Sequence, residues 1–114
     1  MKLFKKVILS ALVFLSFSSL ADSTCSGKIK TLAISRAGTV LIAGPGGLPS
    51  TYLCSVNLKH NNVETEACKI IYSQLLAAQA QKKSVNITFN PAISSCSQVK
   101  SWGWAEGFNW VIVY

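Results

Sequence analysis

Between residues 68 and 90 the spacing of apolar positions changes once, from a helical period to a strand period. Apolar side chains recur at Cys68, Ile71, Leu75 and Ala78, three, four and three residues apart, which is one face of a 3.6-residue repeat. Tyr72, Leu76 and Ala80 widen that stripe, while Lys69, Ser73, Gln74 and Gln81 fall away from it. The spacing predicts a helix from about Glu66 to about Gln81. Thr65 is the expected N-cap, and Glu64 and Glu66 suit the positive end of the helix dipole. Lys82 and Lys83 suit the negative end. Val85, Ile87 and Phe89 then alternate with Asn86, Thr88 and Asn90, the two-residue repeat of a half-buried strand.

The chain on both sides of this unit reads as strands. Ile29, Leu32 and Ile34 predict one strand over Gly27–Ser35. A tight turn at Arg36-Ala37-Gly38 leads into a second over Thr39–Ala43, and the two form a hairpin. Residues 44–50, rich in Gly and Pro, form a loop that is either a flexible connection or a ligand-contacting one. A third strand covers Thr51–Asn57, and the polar connection Leu58–Val63 carries a solvated His60. After the strand at Val85–Asn90, Pro91 stops the ladder. The last strand is Phe108–Tyr114, with Phe108, Trp110, Ile112 and Tyr114 on one face and Val111 and Val113 on the other. A strand apolar on both faces is central or covered, so Trp110 and Tyr114 are expected to be buried. Three strands, a helix and two strands make a mainly β chain with one helix. This is the element order of a small OB-fold-like five-stranded barrel; a small α+β sandwich is the alternative.

The first 21 residues stand apart from that pattern. Lys2, Lys5 and Lys6 precede an apolar run over Val7–Phe17, and Ser19-Leu20-Ala21 is a small-x-small cleavage motif. The apolar run is short for a bilayer span, so residues 1–21 read as a signal peptide cleaved after Ala21. Residues 22–114 then form one small domain of 93 residues, exported to the periplasm or secreted, with no stable membrane insertion once the signal is gone. Three of the eleven basic residues leave with the signal and all four acids remain, giving a net charge of +4. That mild excess does not point to nucleic acid; solubility, a membrane surface or an acidic glycan accounts for it.

All four cysteines, Cys25, Cys54, Cys68 and Cys96, lie in the exported part, and an even count in so small a domain reads as two disulfides. Spacing alone leaves three pairings open. A Cys54–Cys68 bridge would pin the start of the helix to the third strand. No CxxC is present and His60 is the one histidine, which argues against a zinc site, and no cofactor is expected. Asp22, Glu64, Glu66 and Glu106 give no pair placed for acid–base work, so the sequence reads as a binder and not an enzyme. What remains is aromatic. Trp102 and Trp104 sit in a Gly-containing loop beside Lys100, and tryptophan faces stack on sugar rings. These three are the candidate binding residues.

Taken together, the pattern resembles the binding (B) subunits of bacterial A–B toxins, of the enterotoxin and subtilase cytotoxin types. In the enterotoxin type an N-terminal cysteine bridges to one shortly before a C-terminal tryptophan; Cys25, Cys96 and Trp102 look like that set. In the subtilase type an aromatic-Leu/Phe-Cys strand, a cysteine before a helix and a Val-x-Ile strand follow one another. Tyr52-Leu53-Cys54, Cys68 and Val85-Asn86-Ile87 look similar. The resemblance covers most of residues 22–114 as an element order. It implies an OB-fold, a glycan ligand, a homo-oligomer that is a pentamer, and pairing of Cys25 with Cys96 and Cys54 with Cys68. An OB barrel brings the first and fourth strands together, which suits that pairing; Cys25–Cys54 with Cys68–Cys96 stays sterically open. Two function classes follow: an exported glycan-binding module, or a periplasmic or secreted structural or inhibitor protein of the same fold that contacts a protein partner and has no sugar site.

Overall fold

A computed structural model describes residues 23–114, so the signal peptide expected over 1–21 and its cleavage site lie outside the described residues. Among the described residues the chain is mainly β with one helix. Its strands are β1 (Ser23–Lys28), β2 (Thr31–Ile34), β3 (Thr39–Ala43), β4 (Thr51–Ser55), β5 (Ser84–Phe89) and β6 (Phe108–Val113), with α1 (Thr65–Ala80) between β4 and β5. They form two three-stranded antiparallel sheets, ordered β1-β5-β6 and β2-β3-β4. Among the described residues, strand pairing does not join the two sheets into a closed barrel.

The strand expected over Gly27–Ser35 is thus two strands in different sheets. The break falls at Ile29 and Lys30, where the chain leaves β5 and joins β3; the Lys30 N–H already donates to the Ala43 carbonyl at 2.9 Å. Among the described residues six strands therefore stand where five were expected. The turn after β2 is closed by the Ser35 hydroxyl, which accepts from the N–H groups of Ala37 and Thr39. The Gly- and Pro-rich loop is packed and not a free connection: Pro45 and Leu48 are buried, and its 3-10 turn Pro45–Gly47 packs against β1. A Cβ on Gly46, whose φ is 63°, would lie 2.9 Å from the Cys25 Cα, so glycine permits the close approach.

α1 buries Cys68, Leu75 and Ala78, with Ile71 and Tyr72 half-buried, while Leu76 and Ala80 on the expected wider stripe are exposed. The helix touches β2 and β4 of one sheet and β5 and β6 of the other. Its first residue is Thr65, so Glu64 occupies the N-cap position in extended conformation, with no side-chain cap bond. The far end is a Schellman motif. Lys82 takes φ 57°, the Lys82 N–H donates to Gln79 and the Lys83 N–H to Ala78.

Phe89, Ile42, Leu53, Leu75 and Ile87 fill the space between helix and sheets, each fully buried and each stabilising the fold by about 1.5–3 kcal/mol. Two disulfides staple this small core, Cys25–Cys96 and Cys54–Cys68, and no cysteine is free. The first ties β1 to the segment after β5; β1 and β5 are paired along their whole length, which brings its two ends together. The second closes 14 residues between β4 and the first turn of α1, worth about 3 kcal/mol on the chain-entropy account.

β6 departs most from expectation. It is the outer strand of its sheet, and Trp110 and Tyr114 are each 62% exposed, with Ile112 at 42%. The register slips between Ile87 and Phe89, and at the slip the Trp110 N–H donates to the Thr88 hydroxyl. Of the face expected to be core, Phe108 alone is buried. No helix among the described residues is long and apolar enough to cross a membrane.

Candidate functional site

The free edge of β4 is covered by the chain's own residues 102–105. The Trp102 N–H donates to the Ser50 carbonyl at 2.7 Å, the Tyr52 N–H to Gly103 at 2.8 Å and the Ala105 N–H to Tyr52 at 2.9 Å, so this segment runs parallel to β4 as an extra rung. Two side chains lock it in place. The buried Thr51 hydroxyl donates to the Gly103 carbonyl, and the Asn61 amide donates to both Leu53 and Ala105 at 2.9 Å. Asn61 can reach both because Asn61 and Asn62 take φ 55° and 63° in a tight turn, a conformation asparagine tolerates well.

This cover presents the tryptophans. Trp102 has φ 55°, unusual for a bulky residue, and its indole is 66% exposed. It meets Tyr52 edge-on, with ring centroids 6.4 Å apart. Trp104 meets Tyr52 edge-on from 5.5 Å and is half-buried beneath His60, whose ring stacks on it at 4.8 Å. His60 is thus exposed yet engaged with an aromatic ring.

Trp102 overhangs a hollow of about 370 Å³ on the outer face of the β2-β3-β4 sheet. Its floor is one cross-strand row, Ala33 of β2, Leu41 of β3 and Tyr52 of β4, in register. The small Ala33 leaves the depth. The hydroxyl-bearing residues Thr31, Ser35, Thr39 and Ser50 line the rest of it, together with Ile34. Trp104 and Lys100 border a different hollow, of about 280 Å³, with Glu106, Ile93 and Val99. The Lys100 stem lies across Gly103, where a Cβ would come within 2.6 Å of it. The three candidate residues therefore share one segment but do not converge on one pocket. Sequence reasoning missed Tyr52, which links the two hollows, and Ala33 and Leu41, which read as ordinary strand residues.

Comparison with family models, with curated proteins and with solved structures finds no match for this chain.

Proposed function

We propose that this chain is an exported binding module, OB-fold-like with an open barrel, that recognises a glycan and works as a homo-oligomer. The observation that carries the reading is Trp102. A bulky side chain held in a disfavoured backbone conformation, mostly exposed and poised over a shaped hollow, is the kind of local strain that clusters at ligand sites. An indole face offers a platform for the apolar face of a sugar ring. Two disulfides in so small a domain suit an oxidising, extracytoplasmic compartment. The reading is that of a binder, with no catalytic residue assigned.

The oligomer is supported separately. Trp110, Ile112, Val113 and Tyr114 are all exposed along β6, and an apolar strand edge of that kind pairs readily with another chain. The pentamer rests on the toxin B subunit resemblance alone. The second reading, a structural or inhibitor protein with no sugar site, draws on the same edge with a different protein as its partner. A glycan array probed with the oxidised protein, run beside light scattering in solution, separates them. Saccharide binding that is lost in Trp102→Ala is the expected result. A monomer with no array signal removes the glycan reading.

A further inference from the structure

We propose that the hollow under Trp102 selects an uncharged pyranose unit and not an acidic sugar. The inference rests on the glycan reading and narrows it. None of the residues lining this hollow is charged. Its lining pairs aromatic and aliphatic residues, Trp102, Tyr52 and Leu41, with hydroxyl-bearing ones, Thr31, Ser35, Thr39 and Ser50. A neutral pyranose matches that division. Its C–H face stacks on an aromatic ring, and its rim of hydroxyls exchanges hydrogen bonds with Thr31, Thr39 and Ser50. The Ser35 hydroxyl oxygen is already an acceptor for two backbone N–H groups, so its own proton is the part it can offer a ligand.

A carboxylate or sulfate in this hollow would lose water without gaining a cation, which is unfavourable. Lys30 and Arg36 adjoin the lining residues Thr31 and Ser35 in sequence but do not line the hollow, and Lys100 borders the other hollow, where its stem is held on Gly103. A volume of about 370 Å³ sits at the small end of ligand sites, so a terminal sugar fits better than a long chain. A wholly apolar ligand would leave the lining hydroxyls without partners, which favours the sugar over a lipid tail.

Titration by intrinsic tryptophan fluorescence and calorimetry tests this, with methyl hexopyranosides and lactose as neutral probes and sialyl-lactose as the acidic one, at low and high salt. The expected result is binding of a neutral probe with little salt dependence. Trp102→Ala should weaken it by roughly tenfold or more, and Lys100→Gln should leave it within about twofold. Ala33→Leu, at an exposed position on β2, should fill the hollow and abolish binding while circular dichroism and melting stay as in the wild type. Binding of sialyl-lactose alone, reduced by salt and by Lys100→Gln, would overturn the neutral-sugar inference and leave the glycan reading standing at the Trp104 hollow. Wild-type binding by both Trp102→Ala and Ala33→Leu would likewise overturn it. Failure of every saccharide to bind would remove the glycan reading itself.

Discussion

β4 and β6 are both outer strands, and the chain treats their edges in opposite ways. β4 is covered by residues 102–105 through three backbone bonds, the Thr51 hydroxyl and the Asn61 amide. β6 has no strand beyond it among the described residues and leaves Trp110, Ile112, Val113 and Tyr114 exposed. Natural sheets blunt an open edge with charge, proline or a covering segment. β6 has none of the first two between Phe108 and Val113, where its polar residue is Asn109. The covered edge is satisfied by the chain itself, and its cover carries the two tryptophans of the proposed site. The bare edge is apolar and without charge or proline, and the homo-oligomer proposal rests on that composition.

The comparison can be broken hardest at the Cys25–Cys96 bridge, which anchors the segment leading to the cover. Replacing both cysteines by alanine should lower stability by about 2–5 kcal/mol in urea denaturation. It should also speed hydrogen exchange at the Tyr52 N–H, which donates to Gly103. A loss under about 1 kcal/mol would mean that the cover holds without its anchor. Next is Asn61→Ala, which removes both amide bonds and puts alanine at φ 55°. The expected loss is about 2–3 kcal/mol, and wild-type melting would show that the cover is held by backbone bonds alone.

On the bare side, Trp110→Ser should change the stability of the isolated subunit by less than about 1 kcal/mol, because the ring is largely in solvent. Light scattering should at the same time show smaller assemblies than the wild type forms. A loss of 3 kcal/mol with no change in mass would place Trp110 in a core and refute the bare edge. The smallest effect belongs to Trp102→Gly. Relief of the left-handed backbone, about 1–2 kcal/mol, is opposed by the lost Tyr52 contact and by the added chain entropy, each of about 0.5–1.5 kcal/mol. Stability should stay within about 0.5 kcal/mol of wild type while saccharide binding disappears. A large destabilisation would make Trp102 a structural residue.

What could be read from the sequence was whatever one period determines locally. β3 has the expected bounds, because a β-branched run makes a central strand buried on both faces, and α1 begins and ends one residue early, because it sets one apolar face against the core. The switch from β1 to β2 shows in the sequence only as a change of parity, with Ile29 on one face and Leu32 and Ile34 on the other, and a single strand over Gly27–Ser35 passes over that slip. β6 misled for a related reason. Apolar alternation reports a face suited to burial, and does not say whether anything in the chain covers it. In the site, the tryptophans stood out by type, but their division between two hollows depends on Tyr52 standing between them and on the φ of Trp102. Neither is a property of local composition.

The ends of α1 also carry unequal charge. At its start Glu64 is paired with Lys59 at 3.0 Å and Glu66 with Lys69 at 3.1 Å, so the two acids there are matched by two cations. At its finish Lys82 and Lys83 form no ion pair among the described residues, and Lys28 lies opposite Ser84 on the next strand. A helix of 16 residues separates these ends by about 24 Å, more than twice the Debye length of about 8–10 Å in physiological salt. Screening therefore leaves the two ends electrically independent, and the protein has a polarity. The helix macrodipole, positive at the start and negative at the finish, offsets part of that difference, and Lys82 and Lys83 in turn favour the helix by sitting at its negative end.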